Sequence, residues 1–180
     1  MKTLLHITDM QNDFILANGK LPVAGATSIV EPANIFLRTA KFDKTIATFD
    51  THIKSEYETS DEGKQFPLHC EYGTTGWQLG IKIPKYTRVL KPVFDVWVND
   101  ADMKKAISGF APNDTRVFLF GVASDFCVRQ AIAGYLIRGY NVSVIADLCM
   151  GIVKQIDQVA SEFNSKKLQI ITTKGFYNEK

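Results

Sequence analysis

Cys127 sits where a thiol can be put to work. In the stretch GVASDFCV, residues 121–128, an apolar run ends in a short bend and a helical pattern begins at once. With Ser124 or Asp125 as N-cap, Cys127 falls in the first helical turn. There, unpaired backbone N–H groups and the helix dipole favour a thiolate. Two other charged residues close apolar runs in the same way, Asp9 after TLLHIT and Lys91 after RVL. A nearby ammonium would lower the thiol pKa further, and a carboxylate can take the thiol proton and return it to a leaving amine. Backbone N–H groups of the bend, with that of Cys127 itself, can hold an oxyanion. Each residue also has a plainer role. Free cysteine is among the most buried residues, a strand-end lysine can be solvated, and aspartate commonly caps a turn.

A second set begins in FDTH, residues 49–52. Positions i and i+2 of an extended chain point to the same side, so Asp50 and His52 can bind one metal. His69, in FPLHC, can supply a third ligand, and Glu62, seven residues earlier in DEGKQFPLH, a fourth. Mixed nitrogen and oxygen donors suit Zn²⁺, Fe²⁺ or Mn²⁺ better than Ca²⁺. The alternative is that the Asp and His only satisfy backbone groups at a strand end. His6 reads as a core or sheet histidine, and Cys70 and Cys149 as structural thiols. Trp77, Trp97, Phe14 and Phe66 read singly as packing residues.

These side chains converge only if the elements carrying them are arranged in one way. The segments TLLHITD, KTIATFD, RVLKPV, VFLFGV, NVSVIAD and LQIITT read as six strands buried on both faces. SIVEPANIFLRTA, DADMKKAISGF, SDFCVRQAIAGYLIRGY and VKQIDQVASEFNSK read as helices between them, with Gly139 at a helix C′ position and Asn113-Asp114 in a turn. This alternation predicts an α/β fold, a three-layer α/β/α sandwich around a mainly parallel sheet of about six strands. Its strands would end on one edge, where such folds bind ligands. The stretch 51–85 is polar and has no sustained period, which marks a functional loop within a single domain spanning 1–180.

Composition narrows the function. A chain of 180 residues with a net charge of +2 and no basic run argues against nucleic acid or anionic membranes as partners. His6, Thr8 and Asp9 interrupt the first apolar run, which therefore reads as neither a signal peptide nor a membrane span. Three cysteines without a CxxC pair argue against a disulfide scaffold and suit the cytoplasm.

Taken together, TDMQNDF, FDTH, FPLHCEYGTTGW, the Lys91 strand and GVASDFCV resemble the isochorismatase-like cysteine hydrolase family and, within it, the nicotinamidase/pyrazinamidase subfamily. The resemblance spans nearly the whole chain in the expected order. It implies a catalytic triad of Asp9, Lys91 and Cys127, and a non-proline cis peptide at Val122–Ala123. It also implies oxyanion donors at Ala123 and Cys127, and a divalent metal, Zn²⁺ first, on Asp50, His52, Glu62 and His69. Phe14 and Phe66, with Val122, would contact a small-molecule amide such as nicotinamide, which is hydrolysed through a thioester in NAD salvage; self-assembly is left open. In one place the chain departs from the family. Many nicotinamidases carry a tyrosine- and serine-containing segment after the lysine, whereas here KPVFDVWVND puts Asp95 and Trp97 beside the expected pocket.

Three rivals remain on these residues. One is another amidase of the family, acting on an N-carbamoyl compound or ureide; isochorismate itself fits poorly, since its enzymes need no metal. The second is a metal-water hydrolase in which Cys127 is structural. The third is a non-catalytic protein that binds a pyridine or a metal.

Overall fold

The computed structural model describes residues 1–178. All six expected strands form: β1 Lys2–Thr8, β2 Lys44–Asp50, β3 Thr87–Lys91, β4 Thr115–Val122, β5 Asn141–Met150 and β6 Leu168–Ile171. They make one sheet in the order β3-β2-β1-β4-β5-β6, and every pairing is parallel. β1 and β4, at the centre, are buried almost throughout. Each fully buried Leu or Ile there contributes about 1.5–3 kcal/mol. β3 and β6 differ from expectation: as edge strands they are covered incompletely, and Arg88, Leu90, Gln169 and Ile170 are exposed.

The helical segments are α1 Asn12–Ile15, α2 Val30–Thr39, α3 Lys54–Tyr57, α4 Asp100–Ala106, α5 Arg129–Ile137, α6 Ile156–Ala160 and α7 Thr173–Asn178. Phe36 of α2 and Phe176 of α7 pack with Phe42 and with Phe118 and Phe120, two residues apart on β4. That alternation places α2 and α7 on one face of the sheet. His6 is paired in register with Leu119, so it points to the opposite face, where it meets the ring of Tyr135 on α5. Helices therefore cover both faces, as the alternation predicted. α6 is shorter than the predicted VKQIDQVASEFNSK, because the chain leaves the helix in a turn after Ala160. Gly139 does follow α5 in the left-handed region, φ +84, and residues 112–114 form a 3₁₀ turn.

The order of the strands fixes the place of the site. β1 connects to β2 on one side and β4 to β5 on the other, so the chain reverses direction between the two central strands. Asp9 and the Cys127 turn leave the sheet at this switch point, where ligands bind in such folds. Gly121 permits the close approach. A Cβ there would lie 2.0 Å from the Thr8 carbonyl oxygen, and φ is +139, so any larger residue would push β4 away from β1.

Candidate active site

The Cys127 segment is built differently from the predicted helix start. Cys127 lies in a single π-helical turn, Ser124–Val128, ahead of α5, a geometry that recurs at functional sites. Neither Ser124 nor Asp125 caps it; Ala123 occupies that position without a side-chain bond. The Asp125 carboxylate is engaged elsewhere, accepting N–H bonds from Ile152, Val153 and Lys154 at 2.9, 2.8 and 3.0 Å. These bonds overcome the effect of burial and hold its pKa below the usual carboxylate range. They also fasten Ile152 against the pocket. The Val122–Ala123 peptide is cis.

Lys91 is the hub of the site. Its buried ammonium lies 2.8 Å from Asp9 Oδ2, 3.0 Å from Asp50 Oδ1 and 3.3 Å from Cys127 Sγ, and it also donates to the Val93 carbonyl at 3.2 Å. Burial alone would deprotonate a lysine, but the two carboxylates reverse this and raise its pKa well above normal. Asp9, with φ 48, turns its carboxylate back over the sheet, where Thr48 Oγ1 donates to Oδ1 at 2.7 Å. Burial raises the Asp9 pKa, with Asp50 adding and Lys91 opposing. That suits a base that must also act as an acid. The thiol does not follow the expectation of a thiolate favoured by helix and lysine. Burial pushes Cys127 well up; Lys91 opposes the rise, and Asp9 and Asp50 add to it. The group at rest is a neutral thiol beside a carboxylate that can receive its proton.

Asp50 joins this cluster to the second one. While Oδ1 faces Lys91, Oδ2 lies 2.9 Å from His52 Nε2 and 3.0 Å from His69 Nε2. Glu62 Oε1 lies 3.5 Å from His69 Nε2 and 3.9 Å from His52 Nε2, although neither carboxylate oxygen makes a well-formed hydrogen bond. The four ligand atoms lie within 4.8 Å of one another. His69 Nδ1 is 2.8 Å from the Pro67 carbonyl, which can only accept, so Nδ1 carries a proton. Burial would lower the His69 pKa, but the carboxylates of Asp50 and Glu62 raise it to about 9, so without a metal Nε2 also carries a proton toward them, in the place a bound cation would take. Two imidazoles, two carboxylates and unsatisfied buried oxygens fit a divalent transition metal.

The cavity is lined by Phe14, Leu21, Val23, Asp50, Phe66, His69, Phe94, Ala123, Phe126, Cys127 and Ile152. Phe66, Phe94 and Phe126 meet edge-on or tilted, with centroids 5.2–6.1 Å apart. Phe14 and Phe66 both line the cavity, whereas Val122 has its side chain wholly in the core and is not among the lining residues. The KPVFDVWVND departure also resolves differently. Asp95 caps a 3₁₀ turn by accepting from the Trp97 N–H at 2.9 Å. Trp97 is buried against Tyr135 and under the Arg138 guanidinium. The residue of this segment that shapes the pocket is Phe94. Phe94 and Phe126 were both overlooked, though each stands within three residues of a proposed catalytic side chain, a spacing that could have flagged them.

Residues 3–174 match the family described as the Isochorismatase domain. The chain belongs to the isochorismatase family. Among its relatives, the nicotinamidase of Saccharomyces cerevisiae is 25% identical over 95% of this chain and 99% of its own. The nicotinamidase/pyrazinamidase of Mycobacterium tuberculosis is 28% identical over 82% and 86%. The crystal structure of the Pyrococcus horikoshii pyrazinamidase in complex with zinc superposes with a TM-score of 0.79 at 24% identity, covering 96% of this chain and 99% of that one. PnC1 from L. infantum in complex with nicotinate gives the same TM-score and identity, over 97% and 94%. These neighbours share the isochorismatase-family fold, with its all-parallel sheet.

Proposed function

We propose that this isochorismatase-family chain is an amidohydrolase that converts nicotinamide to nicotinate and ammonia through a thioester on Cys127. The observation that carries the reading is the Lys91 ammonium, in contact with Asp9, Asp50 and Cys127 at the wall of an aromatic pocket. The similarity to curated nicotinamidases supports the choice of substrate. So does the cavity, whose aliphatic and phenyl walls suit a flat ring.

Asp9 takes the Cys127 proton as sulfur attacks the carboxamide carbon. The oxyanion develops at the bend, where the N–H groups of Ala123 and Cys127 are proposed to receive it. Collapse of the adduct breaks the C–N bond, and Asp9 returns the proton to the departing ammonia. Asp9 then removes a proton from water as it adds to the thioester, and the thiol re-forms as nicotinate leaves. Lys91 keeps Asp9 and the sulfur oriented and offsets negative charge as it moves between them. Asp50, His52, Glu62 and His69 would hold a divalent metal, with Zn²⁺ first and Fe²⁺ or Mn²⁺ as alternatives; when bound it supplies a Lewis-acid contact for the ring nitrogen. Phe14 and Phe66 would flank that ring. A cytoplasmic setting and a role in NAD salvage follow from this reading, and the described cysteines are all free thiols.

The test is ammonia release from nicotinamide by the purified protein, before and after chelation. Release that falls on chelation and returns with Zn²⁺ is the expected outcome. A metal-loaded protein that releases none, yet hydrolyses another amide, would remove nicotinamide as the substrate and keep the thiol chemistry.

A further inference from the structure

β1 stops hydrogen-bonding to β2 at the pair Thr8–Thr48, because Asp9 turns away at φ 48. Asp50 lies two residues beyond that pair and has lost its neighbour on the β1 side. The side chain of Gln11, wholly buried, fills the gap. Its Oε1 accepts the Asp50 N–H at 2.8 Å, and its Nε2 donates to the Asp50 carbonyl at 2.8 Å and to the Trp77 carbonyl at 2.9 Å. An N–H cannot accept and a carbonyl cannot donate, so the orientation of the amide is fixed. On its other side Asp50 is in register with Lys91 of β3.

We infer that Gln11 is a positioning residue: its side-chain amide replaces the missing β1 peptide and sets the Asp50 carboxylate so that one oxygen serves Lys91 and the other the metal ligands. The neighbouring Asp13 holds the partner loop in the same way. Its Oδ2 accepts the Cys70 N–H at 2.7 Å, and Cys70 stands next to His69 with φ 45. A Cβ on Gly76 would come within 2.2 Å of the same Oδ2, so the loop fits closely around it. The TDMQNDF segment therefore supplies more than Asp9. It aligns Asp50 and His69, which come from two other parts of the chain. Without the Gln11 amide, three buried backbone groups lose their partners, and Asp50 is free to shift relative to both clusters.

The inference rests on the metal assignment made above, and its test separates the two. Zinc affinity of the metal-stripped full chain is measured by chelator competition for wild type, Gln11→Met, Gln11→Glu and the remote core variant Val144→Ala, together with each Tm. Gln11→Met is expected to bind zinc about 10–100-fold more weakly. Gln11→Glu, which keeps an acceptor for the Asp50 N–H, should fall between it and wild type. Val144→Ala should lower Tm with affinity within about twofold of wild type, since β5 carries none of the ligands. Affinity in Gln11→Met equal to wild type overturns the inference. If Gln11→Met does not fold by circular dichroism, Gln11→Glu decides on the same criterion. If the wild-type chain takes up no zinc, the metal assignment falls, and the rate of Cys127 alkylation by iodoacetamide decides for Gln11. A rate altered in the Gln11 variants but not in Val144→Ala supports the role through Asp50 and Lys91, and an unaltered rate overturns it.

Discussion

The two edges of the sheet use similar residue types in opposite ways. At the amino edge, Lys2 donates to the Gly109 carbonyl at 2.7 Å, and Asp43 accepts from the Thr3 N–H and Oγ1 at 2.7 and 3.0 Å, all exposed. At the carboxyl edge, Asp9, Asp50 and Lys91 are at most 1% exposed, and His52, Glu62 and His69 are nearly as deeply covered. Cover, and not residue type, makes the difference. Residues 51–86 and the turn before α5 roof the carboxyl edge, whereas Lys2 and Asp43 at the strand starts stand open to water. Water screens the amino-edge charges, so they contribute little. Those at the carboxyl edge interact strongly, shift one another's protonation and must be satisfied as a group. One edge is ordinary protein surface, and the other holds desolvated charge ready for chemistry.

Removing the proposed nucleophile gives the largest effect expected from this contrast. Cys127→Ala should lower kcat for amide hydrolysis by roughly 10⁴-fold or more, while Cys70→Ala, outside the proposed chemistry, should retain turnover. Single-turnover assays on both variants are decisive. Substantial turnover by Cys127→Ala would return the reaction to a metal-water mechanism. Next in size is Lys91→Met, which leaves two buried carboxylates facing each other without their cation. It should destabilise the fold by about 3–5 kcal/mol as well as abolish activity, and urea unfolding of the stripped protein measures the first effect. A stability loss under about 1 kcal/mol would mean that the carboxyl edge is wetter than its burial implies.

Much of this contrast was legible in the sequence. The six apolar runs gave the strands, because β-branched patterning dominates in a sheet covered on both faces. Asp9, Asp50, Lys91 and the Cys127 segment could be placed at strand ends because each directly follows such a run. Local capping was not legible. Ser124 and Asp125 look like N-caps, but a capping residue is chosen by tertiary competition, and the 152–154 turn claims Asp125 first. The direction of the Cys127 pKa was hidden for a related reason. Helix and lysine are local signals, whereas burial and the carboxylate of Asp50 arrive only with the fold. Gln11 was invisible because its role depends on β1 ending two residues before β2 does. Trp97 was expected beside the pocket because it follows Lys91 closely, but the 3₁₀ turn at residues 96–99 buries it in the core, and Phe94, ahead of that turn, lines the cavity instead.

His6 sharpens the comparison from the strand interior, where burial acts without a partner. Neither ring nitrogen finds a hydrogen bond. Burial, reinforced by the Lys91 charge, lowers its pKa from 6.5 to about 3. Between those values the unfolded chain binds a proton that the native protein refuses, so stability rises with pH through this window and is unaffected by His6 above it. At pH 5 the cost is about 2 kcal/mol relative to pH 7. His6→Leu should therefore flatten the acid limb of the stability curve. Urea midpoints at pH 5 and pH 7 for both proteins test this, and identical pH dependence in the two would show that His6 titrates in the fold as it does in the unfolded chain.

The smallest effect belongs to the amino edge and is the control for all the others. Lys2 contacts the Gly109 carbonyl and lies 5.6 Å from the centre of the Phe110 ring, with its side chain in water. When Lys2→Ala removes the ammonium, water takes its place at the carbonyl, and no buried group is left unpaired. Stability should change by less than about 0.5 kcal/mol, and kcat should not change, since the residue lies at the opposite end of β1 from Asp9. Urea unfolding and a nicotinamide assay on one preparation measure both. A loss above about 1 kcal/mol would show that strand starts also depend on fixed charge, and the difference between the two edges would then be one of degree and not of kind.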